Sequence, residues 1–195
     1  IKWFSIKPNA HKKYEILLKK ILEYVKINKI ENHLFLFCVG ALSNNYSSSN
    51  IDNQYPKIWD KFIEINLTSI FHVIIMCKKK LIKSKSPSIV NIASIHASTF
   101  PDWDLYKNTK VNNLVSYSVS KGGLVNMSKW LATYLSPKIR VNTVSPGGIK
   151  KKQDKKLIEF INSNKDNAAL GLRKFIHFEF HCLDGNETQS DFIQL

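Results

Sequence analysis

Tyr117 and Lys121 stand four residues apart, the pair in this chain whose types and spacing best suit acid–base chemistry. On a helix their side chains leave one face about one turn apart. A cation held beside a phenol favours the phenolate, which lets the tyrosine give and take a proton. In reduction of a ketone it would protonate the developing alkoxide while a second hydroxyl bonds the same oxygen. Ser94 is placed to be that hydroxyl, because it follows the run Ile89-Val90-Asn91-Ile92-Ala93 directly. An open parallel sheet carries its site at the carboxyl ends of its strands.

The same spacing recurs at Tyr106 and Lys110, nearer to Ser94. Tyr117 is preferred because Leu124, Met127, Leu131 and Tyr134 continue its helix as an apolar stripe able to hold the pair rigidly. Tyr106 lies among Asp102, Asp104, Asn108, Asn112 and Asn113, a loop composition. His177, His181 and Cys182 admit a metal-ligand reading, but no complete motif accompanies them, and their neighbours Phe175, Phe178 and Phe180 read as packing. No metal is expected. His96 is read as a loop residue that lines the cleft only because it follows Ser94, and Asn91 as a structural residue within its strand.

The elements that must position these groups alternate between short apolar runs and longer helical patterns, the order of a parallel sheet with crossover helices. The pattern predicts a strand at 1–6, an amphipathic helix at 14–27, a strand at 34–39 stopped by Gly40, and a helix at 58–82 with a lysine-rich end. A strand at 88–93, a helix at 114–135 ending before Pro137, and a strand at 140–144 closed by Pro146, Gly147 and Gly148 follow. After Ile149 a lysine cluster and an Asn/Asp/Lys-rich segment replace the alternation, and residues 175–195 show no clear period. The expected organisation is a domain over 1–149 and a divergent tail over 150–195.

On these residues the chain resembles the short-chain dehydrogenase/reductase family. Tyr117-Ser118-Val119-Ser120-Lys121-Gly122-Gly123 is similar to the family's Tyr-x-x-x-Lys helix, and Ile89 to Ser94 to its serine-bearing strand. Asn66, in Ile65-Asn66-Leu67-Thr68-Ser69, resembles the asparagine whose backbone carbonyl holds a water in the family's proton relay. Arg140 to Gly147 is similar to the strand and Pro-Gly turn beside the nicotinamide. The resemblance implies an α/β fold, a partial Rossmann-like doubly wound parallel sheet with flanking helices. It implies an NAD(P)-dependent oxidoreductase that reduces a carbonyl or oxidises a hydroxyl, with a substrate from a sugar or flagellin-modification pathway as one expectation. The catalytic set is then Asn66, Ser94, Tyr117 and Lys121. NAD or NADP would be held by Gly40, Ala41, Tyr117, Lys121, Pro146, Gly147 and Ile149.

The match departs from the family in three places. Cys38-Val39-Gly40-Ala41 stands where the family has Asn-Asn-Ala-Gly, and Gly148-Ile149-Lys150 where it usually has a threonine. Residues 1–33 contain no glycine, whereas a pyrophosphate site needs a glycine-rich turn before a helix N-terminus. The expectation is a fragment or a disrupted reading frame that binds NAD(P) poorly, with 1–6 as about the third strand. The alternative is a non-catalytic Rossmann-like binding or scaffold protein that has lost the cofactor.

At 195 residues the chain suits one α/β domain, and 44% apolar residues exclude a disordered class. No apolar run approaches the roughly 20 residues of a membrane-spanning helix, and no signal-peptide pattern is present, so a cytoplasmic setting is expected. The three cysteines are widely spaced and read as reduced thiols. A net charge of +14 would suit a polyanion, but only Arg140 and Arg173 are arginines among the 29 basic residues. Abundant lysine, asparagine and isoleucine fit coding bias better than nucleic-acid recognition, which favours arginine. The expected partners are a small-molecule carbonyl or hydroxyl substrate and, for a full-length protein, further copies of itself.

Overall fold

The computed structural model describes residues 16, 19, 20, 23, 26, 34–37, 51–99, 101, 103, 113–146, 175–180 and 189–194, with only the backbone for 34–37, 53, 175–180 and 189–194. The expected strand at 1–6 lies outside them. Residues 16, 19, 20, 23 and 26 are helical and exposed, the spacing of the outer face of the predicted 14–27 helix.

Strands β1 (Leu34–Phe37), β2 (Ser88–Ile92) and β3 (Arg140–Pro146) run parallel in chain order. The strand β4 (Phe175–Phe180) pairs antiparallel with β3, and β5 (Gln189–Gln194) antiparallel with β4. The parallel α/β sheet is thus the expected one, extended by two strands from the stretch whose sequence shows no period. β3 runs two residues beyond its predicted end because β4 supplies partners there: Ser145 faces His177 and Pro146 faces Ile176.

The helix predicted over 58–82 is one helical run with a widened turn. Helix α1 (Pro56–Ile63) opens with proline in its first turn, where the missing N–H costs nothing. A π-turn follows over Glu64–Thr68, closed by the Ser69 N–H donating to the Glu64 carbonyl, and helix α2 (Ser69–Leu81) continues to Lys78, Lys79 and Lys80. Such turns interrupt α-helices often at functional sites. This one buries Ile65 and Asn66.

Helix α3 (Val115–Leu135) has no side-chain cap from Leu114; the Gln54 Oε1 accepts the Val115 N–H at 3.0 Å instead. The helix stops at Ser136, in extended backbone before Pro137. Ile70, Ile74, Cys77 and Leu81 of α2, Leu124, Leu131 and Leu135 of α3, and Ile89 and Val141 of the sheet form one core. Each fully buried aliphatic side chain stabilises by roughly 1.5–3 kcal/mol, so this cluster rather than helix propensity holds the helices on the sheet.

The apolar stripe foreseen for α3 is displaced in part. Leu124 and Leu131 are buried and Met127 packs against the core, but Tyr134 is 59% exposed. It stacks on Trp130 at 5.0 Å, and the Lys78 Nζ lies 4.6 Å from its ring centre. Leu135, one position on, takes the inward place. Among the described residues no helix is long and apolar enough to cross a membrane.

Candidate active site

Two adjacent glycines let α3 approach the segments that carry Ser94 and Asn66. A Cβ on Gly122 would stand 3.2 Å from the Ala97 carbonyl oxygen, in the 3-10 turn Ile95–Ala97 that follows Ser94. A Cβ on Gly123 would stand 3.0 Å from Leu67 Cδ2, beside Asn66 in the π-turn. The Gly122-Gly123 step therefore brings three chain segments to one end of the sheet.

Lys121, the residue before, is only 2% exposed. An ammonium buried this deeply must be hydrogen-bonded. Its Nζ donates to the Ile92 carbonyl at 2.7 Å, at the last residue of β2 and two positions before Ser94. This bond ties the lysine of the predicted pair to the strand end that presents the predicted serine. Ser94 is buried, with extended backbone, and its Oγ accepts the His96 N–H at 3.3 Å.

Asn66 is fully buried. Its Nδ2 donates to Ser120 Oγ at 2.9 Å, and the Ser120 hydroxyl donates to the Tyr117 carbonyl at 2.8 Å. The predicted asparagine thus fixes the turn of α3 that bears Tyr117 and Lys121. A second connection of the same kind lies eight residues along the helix. Asn91 Nδ2 donates to Ser128 Oγ at 2.7 Å, whose hydroxyl donates to the Leu124 carbonyl at 2.7 Å. Asn91 is structural in this arrangement, as its place within the strand suggested.

The Tyr117 ring is half-buried beside two aromatic neighbours. Phe62 of α1 meets it edge to face at 6.3 Å and 89°, and His96 at 6.4 Å and 71°. Burial pushes the His96 pKa below its ordinary 6.5, which favours the neutral ring. Among the described residues the buried His96 Nδ1 has no hydrogen-bond partner. Phe62, Ser120 and Ser128 are neighbours of these residues that spacing alone did not reveal, whereas His96 is placed near Ser94 by its position in the sequence.

Of the predicted site residues, Asn66, Ser94, Tyr117 and Lys121 stand on touching elements, and Pro146 ends the next strand, half-buried. Gly40, Ala41, Gly147 and Ile149 lie outside the described residues, as do Tyr106 and Lys110 and the side chains of His177, His181 and Cys182.

The family described as enoyl-(acyl carrier protein) reductase matches over residues 26–173. A 3-oxoacyl-[acyl-carrier-protein] reductase FabG of Buchnera aphidicola is 38% identical over 106 residues, 54% of this chain and 39% of the relative. The post-translational flagellin modification protein A of Campylobacter coli is 38% identical over 68 residues, 34% of this chain and 27% of the relative. A short-chain dehydrogenase from Shigella flexneri solved with NADP superposes at a TM-score of 0.58 and 20% identity, covering 77% of this chain and 57% of that one. The matched part spans about two fifths of the length of the Buchnera reductase. With a family match over three quarters of its length, and with the motif-bearing elements in the family's order around one sheet end, the chain belongs to the short-chain dehydrogenase/reductase family.

Proposed function

We propose that the protein is a cytoplasmic NAD(P)-dependent oxidoreductase that interconverts a carbonyl and a hydroxyl, with Tyr117 as proton donor and acceptor, Ser94 as the second hydroxyl on the reacting oxygen, and Lys121 and Asn66 holding the tyrosine's surroundings. The observation that carries it is the Lys121 Nζ bond to Ile92 O at 2.7 Å, which fixes the cation of the Tyr117 pair at the strand end leading into Ser94.

The donor set at this sheet end fits a nicotinamide nucleotide. A buried ammonium offers donors suited to ribose hydroxyls, and a phenol and a serine hydroxyl can each donate to an oxygen. Lys121, Tyr117 and Pro146 would hold the nicotinamide half. When bound, the nicotinamide supplies or accepts the hydride. Tyr117 passes its proton to the substrate oxygen, and Ser94 donates a hydrogen bond to that oxygen as charge builds on it, while Lys121 holds the strand end beside them. Asn66 acts through Ser120 on the helix turn itself. A homo-oligomer is the assembly implied by the family, and we propose it for the full-length protein; sedimentation velocity reads it directly.

NADPH and a 3-oxoacyl thioester are the first reactants to offer, given the names of the relatives, with a keto sugar as the second substrate. Tyr117→Phe is expected to lower kcat by roughly 10²–10⁴-fold, and Tyr106→Phe to leave it near the parent value. Loss of turnover in Tyr106→Phe with Tyr117→Phe intact would move the assignment to the other pair. Absence of NADPH oxidation with every carbonyl tried would overturn the reading of activity.

A further inference from the structure

Proton transfer by the Tyr117 phenol needs its ring held in a fixed direction. Phe62 and His96 are arranged to hold it. They come from different elements, α1 and the 3-10 turn after β2, and meet the same ring edge to face. Both separations fall within the 4.5–7 Å range in which aromatic pairs attract through their quadrupoles. Phe62 is fully buried among core residues, so it gives a rigid wall. His96 has a second link to the site, because its backbone N–H donates to Ser94 Oγ. Among the described residues its buried Nδ1 has no hydrogen-bond partner, so there the ring meets Tyr117 through its edges and faces.

We propose that Phe62 and His96 form a two-ring clamp that sets the orientation of the Tyr117 phenol, and that His96 registers the two reacting hydroxyls to each other, Ser94 through its backbone and Tyr117 through its ring. Both are positioning residues. The inference rests on the assignment of Tyr117 as the proton-transferring group, but the orientation of the ring is measurable without turnover.

The clamp predicts a ranking. His96→Ala keeps the backbone bond to Ser94 and removes the ring; Phe62→Leu removes the other wall with little change of volume; His96→Phe keeps a ring and removes both nitrogens. His96→Ala and Phe62→Leu are expected to lower kcat by roughly 10- to 100-fold, the order expected for a misplaced reacting group. The KM for NADPH should stay near the parent value, and His96→Phe should recover most of the loss. Aromatic ¹³C NMR with labelled tyrosine, the Tyr117 signals identified by their loss in Tyr117→Phe, reads the clamp itself. Ring-current displacement of the Tyr117 protons should persist in His96→Phe and shrink in His96→Ala. A His96→Phe variant as slow as His96→Ala would show that the imidazole nitrogens act, and would overturn the clamp. Unchanged Tyr117 shifts in both His96→Ala and Phe62→Leu would overturn it as well. If the parent protein shows no turnover, the shifts alone decide the clamp, and the functional assignment fails separately.

Discussion

Replacing Gly122 with alanine separates what a helix wants from what this site needs. In an ordinary helix interior the change stabilises by about 1 kcal/mol. Here the new Cβ would lie 3.2 Å from the Ala97 carbonyl oxygen, closer than a relaxed carbon–oxygen contact by a few tenths of an ångström. The oxygen is backbone, in the turn whose His96 N–H is capped by Ser94, so relief must come from moving that turn and His96 with it. Overpacking of this kind costs typically 1–3 kcal/mol, which leaves Gly122→Ala between unchanged and about 2 kcal/mol destabilised. At roughly 2–4 °C per kcal/mol for a domain of this size, Tm should fall by at most about 8 °C. A 1 Å misplacement costs about a hundredfold, so a shift of a few tenths should lower kcat by roughly 2- to 10-fold. Gly123→Ala is the matched control. Its Cβ meets the methyl end of Leu67, 3.0 Å away, and a half-buried side chain can turn aside. Urea unfolding and NADPH-dependent kcat of both variants test the reasoning. It is refuted if Gly122→Ala gains the full helix-propensity stabilisation with kcat intact, or if Gly123→Ala is the more damaging change.

Ser128→Ala should destabilise by about 1–3 kcal/mol in urea unfolding, because it leaves the buried Asn91 Nδ2 without its acceptor while Asn91 Oδ1 already lacks a donor; a loss below a few tenths would mean that Asn91 finds another partner. Burial raises the Cys77 thiol to about 12, so peptide mapping should find it unmodified by iodoacetamide in the folded protein at about pH 8 and modified once urea unfolds the chain. The His96 pKa is depressed by burial, so between that value and 6.5 the unfolded chain binds more protons than the folded one. Its contribution to stability is present above 6.5 and is lost as pH falls through the folded pKa; the urea midpoint should therefore drop on acidification across this range, and less steeply in His96→Phe.

What the sequence disclosed and what it concealed divide along one line. Local patterns disclosed the three parallel strands, the helix bearing Tyr117 and Lys121, and the strand end at Ser94, because periodicity and turn residues act within a few positions. Contacts across elements left no such trace. The bond from Asn66 to Ser120 joins residues 54 positions apart, and nothing in either segment's period announces it. Phe62 reads as one more apolar position on a helix, although its neighbour is the phenol. Tyr134 was assigned to the inner stripe because helical spacing gives a face without saying how far neighbouring elements cover it. Strands β4 and β5 lie in sequence with no clear alternation, and their pairing follows from β3 offering a free edge. The close approach at Gly122 and Gly123 was carried as part of a motif, while its reason, the space left for Ala97 and Leu67, is tertiary.

If Tyr117 protonates a substrate oxygen at this sheet end, turnover must couple that proton to a hydride from the nicotinamide. A single-turnover reaction of the protein with 4-deuterated NADPH and a 3-oxoacyl thioester, followed by mass analysis of the product, tests it most directly. The parent protein should form a hydroxyl product heavier by one deuterium at the former carbonyl carbon, and Tyr117→Phe should form almost none. Deuterium transfer at the parent rate in Tyr117→Phe would contradict it.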